Sequence, residues 1–426
     1  MPWVIGNNRR AVVIRADMDA SMIQQTDPSR LGIDPDRLHR INEMMERYVA
    51  EGKTAGMLTL VSRNGEIAHL ATHGYMDLAT QTPMSADTIF RIYSMTKPIA
   101  SAALMTLLEA GKFQLDDVAH RWIPALRTLR VYRSDGELEP LESDITIRQL
   151  LTHTAGFTYG FEPDTSPVDK MYVEKWPGFN SEKTLSELLA DLFELPLVAQ
   201  PGSLWHYSIA TDICGYLVEL MSDMPLGDYL QKTIFDPLGM VDTAFEVPDD
   251  KLARFATLYG WTPENPLAVL EEPKSSPFIP PATMNSVPLQ SAGAGLVSSA
   301  SDYWHFAQMI LNGGELDGRR ILGRKTVEWM TMNHLPGDLL PLSFNGVVPD
   351  RSNAYGFGLG YCVNIDPASA GTLGSQGDFG WGGLADTYCW VDPKEQLIGI
   401  LMQQYSPSLA HAGRRDFRNL VYQALT

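Results

Sequence analysis

Segments with β-strand character lie near both ends of this 426-residue chain, and helical segments fill the middle. The strand-like segments are short apolar or alternating runs at 57–62, 66–72, 355–365, 386–392 and 396–404. The first two are joined through Asn64-Gly65, the dipeptide most typical of a tight β-hairpin. Distant strands share one sheet most simply when the chain between them forms a separate insertion. The sequence therefore predicts one α/β domain built from both ends, with a helical domain inserted into it.

The expected domain boundaries follow from where the strand patterns stop and return. Residues 1–115 and 336–426 are assigned to the α/β domain and 116–335 to the mainly helical domain. Residues 1–30 are predicted to form an N-terminal arm, and the proline-rich stretch 262–290 an irregular loop. Helices are predicted from capping residues and apolar spacing at 35–51, 94–110, from 146, 212–221, 303–311 and around 417–421.

Ser94-Met95-Thr96-Lys97 lies where an apolar run turns into an amphipathic helix. Residues three apart share one face of a helix, so the serine hydroxyl and the lysine amine are expected to be neighbours. The positive end of the helix and the apolar residues near Lys97 both disfavour its ammonium form. A partly neutral lysine beside a serine is a nucleophile–base pair that needs no histidine. The alternative is a helix-capping serine and a solvated lysine on a surface helix.

A serine nucleophile also needs a proton route to the leaving group and an oxyanion hole. Tyr207 stands between the Pro201-Gly202 turn and a helix start, where its side chain could project into a cleft; the alternative is a buried tyrosine with one hydrogen bond. Phe379-Gly380-Trp381-Gly382-Gly383-Leu384 could bring backbone N–H groups close to a ligand, with the indole as an apolar wall. The alternative is a glycine-rich bulge at a sheet edge.

These three elements stand in the order S-x-x-K, Y-x-N, K-T-G that serine β-lactamases and penicillin-binding proteins use. Here they read Ser94-Met95-Thr96-Lys97, Tyr207-Ser208-Ile209 and Trp381-Gly382-Gly383. Further stretches with the same likeness are 150–156, 237–243 and 293–299. Across roughly residues 30–405, the chain resembles the family VIII carboxylesterases, which are similar in fold to class C β-lactamases.

The resemblance implies a β-lactamase-like α/β fold, in which an antiparallel sheet flanked by helices carries an inserted all-helical domain. It places the active site in the cleft between the two domains. It implies that Ser94 is the acyl-accepting nucleophile and that Lys97 and Tyr207 are coupled general bases and proton donors. The backbone N–H groups of Ser94 and Leu384 would form the oxyanion hole. The residues that the resemblance places around the substrate are Tyr159, Phe161, Ile209, Trp381, Gly382 and Gly383.

Two departures from the β-lactamase pattern bear on the substrate. Trp381 stands where β-lactamases have a lysine that binds a substrate carboxylate, and an indole cannot form that ion pair. Ile209 stands where they have an asparagine that hydrogen-bonds a substrate amide. Both changes favour uncharged, apolar esters over β-lactams and peptides. The resemblance to the esterase family leaves weak β-lactam hydrolysis open as a side activity.

Composition and charge indicate which classes of partner this chain is expected to bind. With 33 basic and 51 acidic residues the net charge is −18, which disfavours nucleic acid and anionic membranes as partners. We found no apolar run long enough for a membrane span and no secretory signal pattern, so a cytoplasmic protein is expected. The sequence carries no metal or nucleotide motif, so no cofactor is expected, and small-molecule esters are the expected partners. The sequence does not indicate an oligomeric state.

The leading hypothesis is a serine carboxylesterase that hydrolyses short-chain esters through an acyl-enzyme on Ser94. A β-lactamase, D-Ala-D-Ala peptidase, acyltransferase or amide-oligomer hydrolase would use the same chemistry. A penicillin-sensor-like protein that acylates once, or a scaffold with an inactive site, would be a different class. His153 lies at a helix end, where a structural role is favoured over catalysis. We found no G-x-S-x-G motif, so an α/β-hydrolase is not supported.

Overall fold

The computed structural model describes residues 24–176, 182–270, 288–339, 342 and 354–426. The helices in these residues are α1 Pro35–Ala50, α2 Thr96–Glu109, α3 Ile147–Leu151, α4 Pro167–Lys175, α5 Leu185–Leu192, α6 Ala210–Ser222, α7 Leu226–Leu230, α8 Asp236–Leu238, α9 Ala300–Leu311, α10 Arg324–Met330, α11 Pro367–Ala370 and α12 Gly413–Tyr422. The strands are β1 Gly56–Arg63, β2 Glu66–Asp77, β3 Thr82–Pro83, β4 Ile89–Arg91, β5 Arg130–Tyr132, β6 Leu138–Pro140, β7 Tyr259–Gly260, β8 Ala268–Val269, β9 Val297–Ser299, β10 Glu315–Leu316, β11 Arg319–Arg320, β12 Tyr355–Phe357, β13 Cys362–Asn364, β14 Phe379–Gly382, β15 Tyr388–Asp392, β16 Leu397–Gln403 and β17 Tyr405–Ser406.

Strands from both ends of the chain form one antiparallel sheet. Within the described residues its order is β12-β13-β14-β15-β16-β1-β2-β3. The N-terminal hairpin joins the C-terminal strands through β1 and β16, where Leu60 lies opposite Ile400. On its other side Leu60 lies opposite Leu70 of β2. The predicted sheet of early and late strands is therefore confirmed, and β2 extends five residues beyond the predicted end at residue 72.

The sheet is covered by helices on both faces, so its central strands are apolar on both sides. Met57 and Val61 of β1 belong to a core shared with α1 and α12, which contains Ile41, Met45 and Phe417. The alternate residues of the same strands belong to the larger core of α2 and α9; they include Leu58, Leu60, Ile398 and Ile400. Because successive side chains point to opposite faces, one continuous apolar run supplies both cores.

The middle of the chain is mainly helical, with α3 and α7 packed against α6 and α6 against α2. The chain returns to the sheet earlier than the predicted boundary at residue 335, because β9 pairs with β4 and leads directly into α9. Helix α9 then packs on β15 and β16. The predicted domain boundaries and the division into two domains stay predictions.

The predicted helix start at residue 146 has the expected structure. Thr146 forms a capping box with Gln149 at the start of α3. Of the predicted arm, residues 1–23 lie outside the described residues, as do 271–287 of the predicted loop. Among the helices that the structure describes, none combines the length and apolar character needed to cross a bilayer.

Candidate active site

Ser94 lies in a single 3-10 turn, Tyr93–Met95, that connects β4 to α2. The residue before it, Tyr93, is buried and has a φ of +45°, in the left-handed region that side chains rarely adopt. Such a conformation costs about 1–3 kcal/mol and persists only where the surrounding structure enforces it. The strained turn holds Ser94, which is half-buried, at the start of α2.

Lys97 lies one turn into α2 and is 1% exposed. Its Nζ is 3.2 Å from Ser94 Oγ, 3.1 Å from the Tyr159 hydroxyl and 2.7 Å from the Gly293 carbonyl oxygen. Among the described residues, no carboxylate forms an ion pair with it. Burial therefore dominates, and it lowers the pKa of Lys97 to about 7, against a smaller opposing effect of Asp212. A neutral amine at this position can accept the Ser94 proton.

Tyr207 completes the group around the nucleophile. Its hydroxyl is hydrogen-bonded to the Ser94 side chain and accepts a second hydrogen bond from Trp381 Nε1 at 3.2 Å. Lys97 Nζ lies 4.4 Å from the centre of the Tyr207 ring. Burial raises the pKa of the phenol, and the two hydrogen bonds oppose that rise. Tyr207 is thus a neutral hydroxyl in contact with Ser94, the predicted nucleophile.

Asp212 is a buried carboxylate of the site that the sequence analysis missed. Its Oδ2 accepts a hydrogen bond from the Tyr159 hydroxyl at 3.3 Å, and its Oδ1 accepts from Ser291 Oγ at 2.7 Å and Gly293 N at 3.0 Å. Tyr159 therefore connects Lys97 to Asp212. We call Lys97, Tyr159, Tyr207 and Asp212 the base cluster.

The position of Asp212 carried a signal that sequence reasoning could have used. It lies in the first turn of α6, among buried apolar neighbours, where an unpaired carboxylate would be costly. Burial raises its pKa, and the Ser291 hydrogen bond and the Lys97 charge oppose the rise. Gly293 is tightly packed against the cluster, because a Cβ there would collide with the Tyr159 hydroxyl and with Asp212. The 293–299 motif therefore begins at a residue that contacts Lys97.

The other half of the candidate site is the turn after β14, residues 383–387. It contains Leu384, the predicted oxyanion-hole residue, and we call it the oxyanion turn for that prediction. Gly383 packs so closely on the Ile92 carbonyl that a Cβ there would overlap it, and Thr387 Oγ1 donates to the same oxygen at 3.3 Å. The turn is thereby fixed to the segment two residues before Ser94. Within the part of the chain that the structure describes, neither the Ser94 nor the Leu384 N–H donates a backbone hydrogen bond. Their role as an oxyanion hole stays a prediction.

The glycines around Trp381 make room for protein atoms. A Cβ on Gly380 would overlap the Cys389 carbonyl, and one on Gly382 would collide with the Arg414 guanidinium. The sequence analysis explained these glycines by close approach to a ligand, and the structure gives packing as the reason. The predicted substrate contacts of Gly382 and Gly383 remain predictions for their backbone atoms. Trp381 itself is 6% exposed and packs on the Tyr207 ring.

The remaining predicted residues have different surroundings. Ile209 is 0% exposed at the start of α6 and packs in the core, and its predicted contact with substrate stays a prediction. Phe161 is 37% exposed and stacks on Tyr207, as a wall residue would. Tyr159 reaches Lys97 and is part of the base cluster as well as a neighbour of Phe161. His153 is buried against the Tyr207 ring, and its Nδ1 lies 3.3 Å from Ser208 Oγ.

Comparison with known proteins gives consistent matches. The family model described as Beta-lactamase matches residues 41–423. A protein of Mycobacterium tuberculosis (strain CDC 1551 / Oshkosh), described as uncharacterized, is 35% identical over 378 residues, 87% of this chain and 90% of its own length. Esterase EstB of Burkholderia gladioli is 31% identical over 389 residues, 88% of this chain and 93% of its own.

Solved structures agree with these sequence matches. The structure of EstCE1, described as a hydrolase with promiscuous acyltransferase activity, superposes with a TM-score of 0.76. It is 27% identical and covers 91% of this chain and 99% of its own. Together, the matches confirm the antiparallel fold and the family resemblance that the sequence motifs predicted.

Proposed function

Because the chain belongs to the beta-lactamase family and is a serine hydrolase of that fold, we propose that it is a carboxylesterase acting on short-chain esters. The observation that carries the proposal is Lys97, a buried amine with a pKa lowered to about 7 and placed 3.2 Å from Ser94 Oγ. No histidine is needed for such a pair to generate a serine nucleophile.

The proposed reaction has two halves that share one covalent intermediate. Ser94 Oγ attacks the ester carbonyl carbon while its proton passes to the Lys97–Tyr207 pair, and the carbonyl oxygen becomes an oxyanion. When the tetrahedral intermediate collapses, the bond to the alcohol oxygen breaks and the pair returns the proton to that oxygen. Water then gives a proton to the same pair and attacks the acyl carbon. The bond to Ser94 Oγ breaks, the pair returns the proton to Ser94, and the acid is released. Lys97 and Tyr207 are coupled groups, so their individual roles in each step stay open.

The walls of the site favour an uncharged, apolar substrate. Trp381 provides an indole where a cation would be needed for a substrate carboxylate, and Phe161 and Tyr159 add aromatic surface. Ile209 is buried and supplies no amide that could recognise a peptide. Weak β-lactam hydrolysis is expected to accompany ester hydrolysis, because the nucleophile and its base are the same for both.

Acyl transfer to an alcohol is the second candidate function. Similarity to EstCE1, described as having acyltransferase activity, supports it. The aromatic rings around Ser94 support it as well, because an apolar acceptor that displaces water from them would compete with hydrolysis. Adding a primary alcohol during turnover and measuring the new ester against the free acid would decide how the acyl group is divided.

The first experiment follows p-nitrophenyl butyrate hydrolysis by the wild type and by Ser94→Ala. Sustained turnover that is lost in the variant is the expected result. A single stoichiometric burst in the wild type would instead indicate a sensor that acylates without turnover. Equal rates in the two proteins would reject Ser94 as the nucleophile and, with it, the proposed function.

A further inference from the structure

The carbonyl of Gly383 and the N–H of Leu384 belong to one peptide group. The carbonyl oxygen accepts a hydrogen bond from Arg414 Nη2 at 2.6 Å and another from the Asp386 N–H at 3.1 Å. A trans peptide group is planar, and its C=O and N–H point in opposite directions. Whatever orients the Gly383 carbonyl therefore also orients the Leu384 N–H.

Arg414 is itself firmly held. It is 8% exposed, and its Nε lies 2.7 Å from Asp386 Oδ1. The other carboxylate oxygen of Asp386 accepts a hydrogen bond from Gln403 Nε2 of β16 at 2.6 Å. The guanidinium lies against Gly382, the position where a Cβ would collide with it. Asp386 is part of the oxyanion turn. Its ion pair with Arg414 therefore joins that turn to α12, and its hydrogen bond from Gln403 joins the turn to β16.

We propose that Arg414 is a positioning residue for the oxyanion hole, fixing and polarising the Gly383–Leu384 peptide so that the Leu384 N–H faces the tetrahedral intermediate. The inference rests on the proposed acyl transfer at Ser94. A cation hydrogen-bonded to the carbonyl oxygen withdraws electron density from the peptide and makes its N–H a stronger donor. A preorganised donor acts on charge that develops in the transition state, so its loss lowers kcat more than it changes KM.

Arg418 provides a matched comparison on the same helix. It lies one turn beyond Arg414, is 4% exposed and pairs with Asp378 at 2.6 Å. Its Nε donates to the Leu373 carbonyl at 2.8 Å, away from the oxyanion turn. Losing a buried arginine destabilises a protein wherever the residue lies. A purely structural role for Arg414 would therefore give the same kinetic result in both variants.

The experiment compares Arg414→Ala, Arg414→Lys and Arg418→Ala with the wild type on p-nitrophenyl butyrate, after circular dichroism has given the folded fraction of each. We expect kcat per folded molecule to fall about 10- to 100-fold in Arg414→Ala, with KM changed by less than about 3-fold. Arg414→Lys keeps a charge and one donor, so its expected loss is about 3- to 10-fold, and it carries the test if the alanine variant does not fold. Arg418→Ala should keep the wild-type kcat.

Chemical rescue adds a readout that a structural role would not produce. A cavity of about 150 Å³ borders Arg414 and Arg418, and it gives free guanidinium access to the vacated position. Guanidinium chloride at about 50 mM, far below the concentrations that unfold proteins, should restore part of the kcat lost in Arg414→Ala. It should not change the kcat of Arg418→Ala.

Two results would overturn the inference: a wild-type kcat in the Arg414 variants, or an equal loss of kcat in Arg418→Ala. The proposed function fails separately, when the wild type and Ser94→Ala hydrolyse the ester at equal rates. In that case no tetrahedral intermediate forms on Ser94, so there is no oxyanion for the Leu384 N–H to stabilise, and the inference is rejected as well. The Ser94 comparison therefore distinguishes the two failures.

Discussion

The base cluster and the oxyanion turn, the two halves of the candidate site, are built by opposite means. The base cluster consists of titratable side chains enclosed by aromatic rings, and burial lowers the pKa of its lysine to about 7. The oxyanion turn offers backbone N–H groups, which do not titrate, and an ion pair between Arg414 and Asp386 holds it. A change of pH therefore alters the protonation of the base cluster, whereas the position of the N–H groups in the oxyanion turn depends on backbone geometry.

The halves also differ in how their parts are brought together. The base cluster takes Lys97 from α2, Asp212 from α6, and Tyr159 and Tyr207 from the loops before α4 and α6. Ser291 and Gly293 hydrogen-bond to it, so the cluster depends on packing between the helical middle of the chain and the sheet. The oxyanion turn is local to the β14–β15 connection. Among the described residues, it is held from elsewhere in the chain by contacts with Ile92, Gln403, Tyr405, Leu409 and Arg414. A hydrogen bond from Trp381 Nε1 of β14 to the Tyr207 hydroxyl joins the base cluster to the strand that leads into the oxyanion turn.

Replacing Lys97 by methionine should have the largest effect, because it removes the base and leaves the oxyanion turn intact. We expect kcat/KM for p-nitrophenyl butyrate to fall by about 10³-fold or more. Thermal unfolding should change little, since methionine fills the same apolar space without a buried amine. Lys112→Met, at an exposed position outside the site, is the control and should keep full activity. Retention of more than about a tenth of the activity in Lys97→Met would remove lysine from the mechanism.

Replacing Asp212 by asparagine should separate charge from shape within the base cluster. Because Lys97 must be neutral to accept a proton, wild-type kcat/KM should rise as the pH increases through about 7. The Asp212 charge raises the pKa of Lys97, so its removal should move this limb of the pH profile to lower pH. At alkaline pH the loss of kcat should stay below about 10-fold, as for one altered hydrogen bond.

The control for this variant is Asp223→Asn, an exposed residue that follows the same helix. Its pH profile should coincide with that of the wild type. A shift of the Asp212→Asn limb to higher pH would contradict the sign of the interaction between Asp212 and Lys97.

Replacing Trp381 by phenylalanine should have the smallest effect, because it keeps an aromatic ring and removes the hydrogen bond to Tyr207. The indole donor lowers the pKa of Tyr207, so its loss should raise that pKa and reduce kcat about 2- to 10-fold. Trp304→Phe is the matched control, since its Nε1 bonds Ser62 at 2.9 Å elsewhere in the core. An equal kcat in Trp381→Phe and the wild type would mean that the two halves work independently.

The sequence was sufficient to propose Ser94, Lys97 and Tyr207 because each belongs to a short motif whose chemistry is readable locally. A serine and a lysine three residues apart meet on any helix, and the structure places their side chains in contact. Asp212 and Arg414 escaped notice because nothing nearby in the sequence identifies their partners. Asp212 meets Ser291 across 79 positions, and Arg414 meets Gly383 across 31.

Ile209 shows what a motif leaves open. Its place in the motif predicted a contact with substrate, and the structure shows it fully buried, so that contact stays a prediction. Because the residue is isoleucine, no asparagine amide is available at this motif position to bind a substrate amide. Whether a side chain at that position faces the cleft or the core depends on the backbone at the start of α6, which the motif does not describe.

The sequence by itself determined the strands at both ends, the helical middle and the Ser94–Lys97 pair, because periodicity and helix geometry are local properties of a chain. Only the tertiary structure decided how strongly Lys97 is buried, which carboxylate acts on it and what fixes the Leu384 N–H. Those depend on atoms that lie far apart in sequence and meet only when the sheet and the helical region pack together. The pKa of a buried amine and the direction of a peptide N–H are properties of that packing.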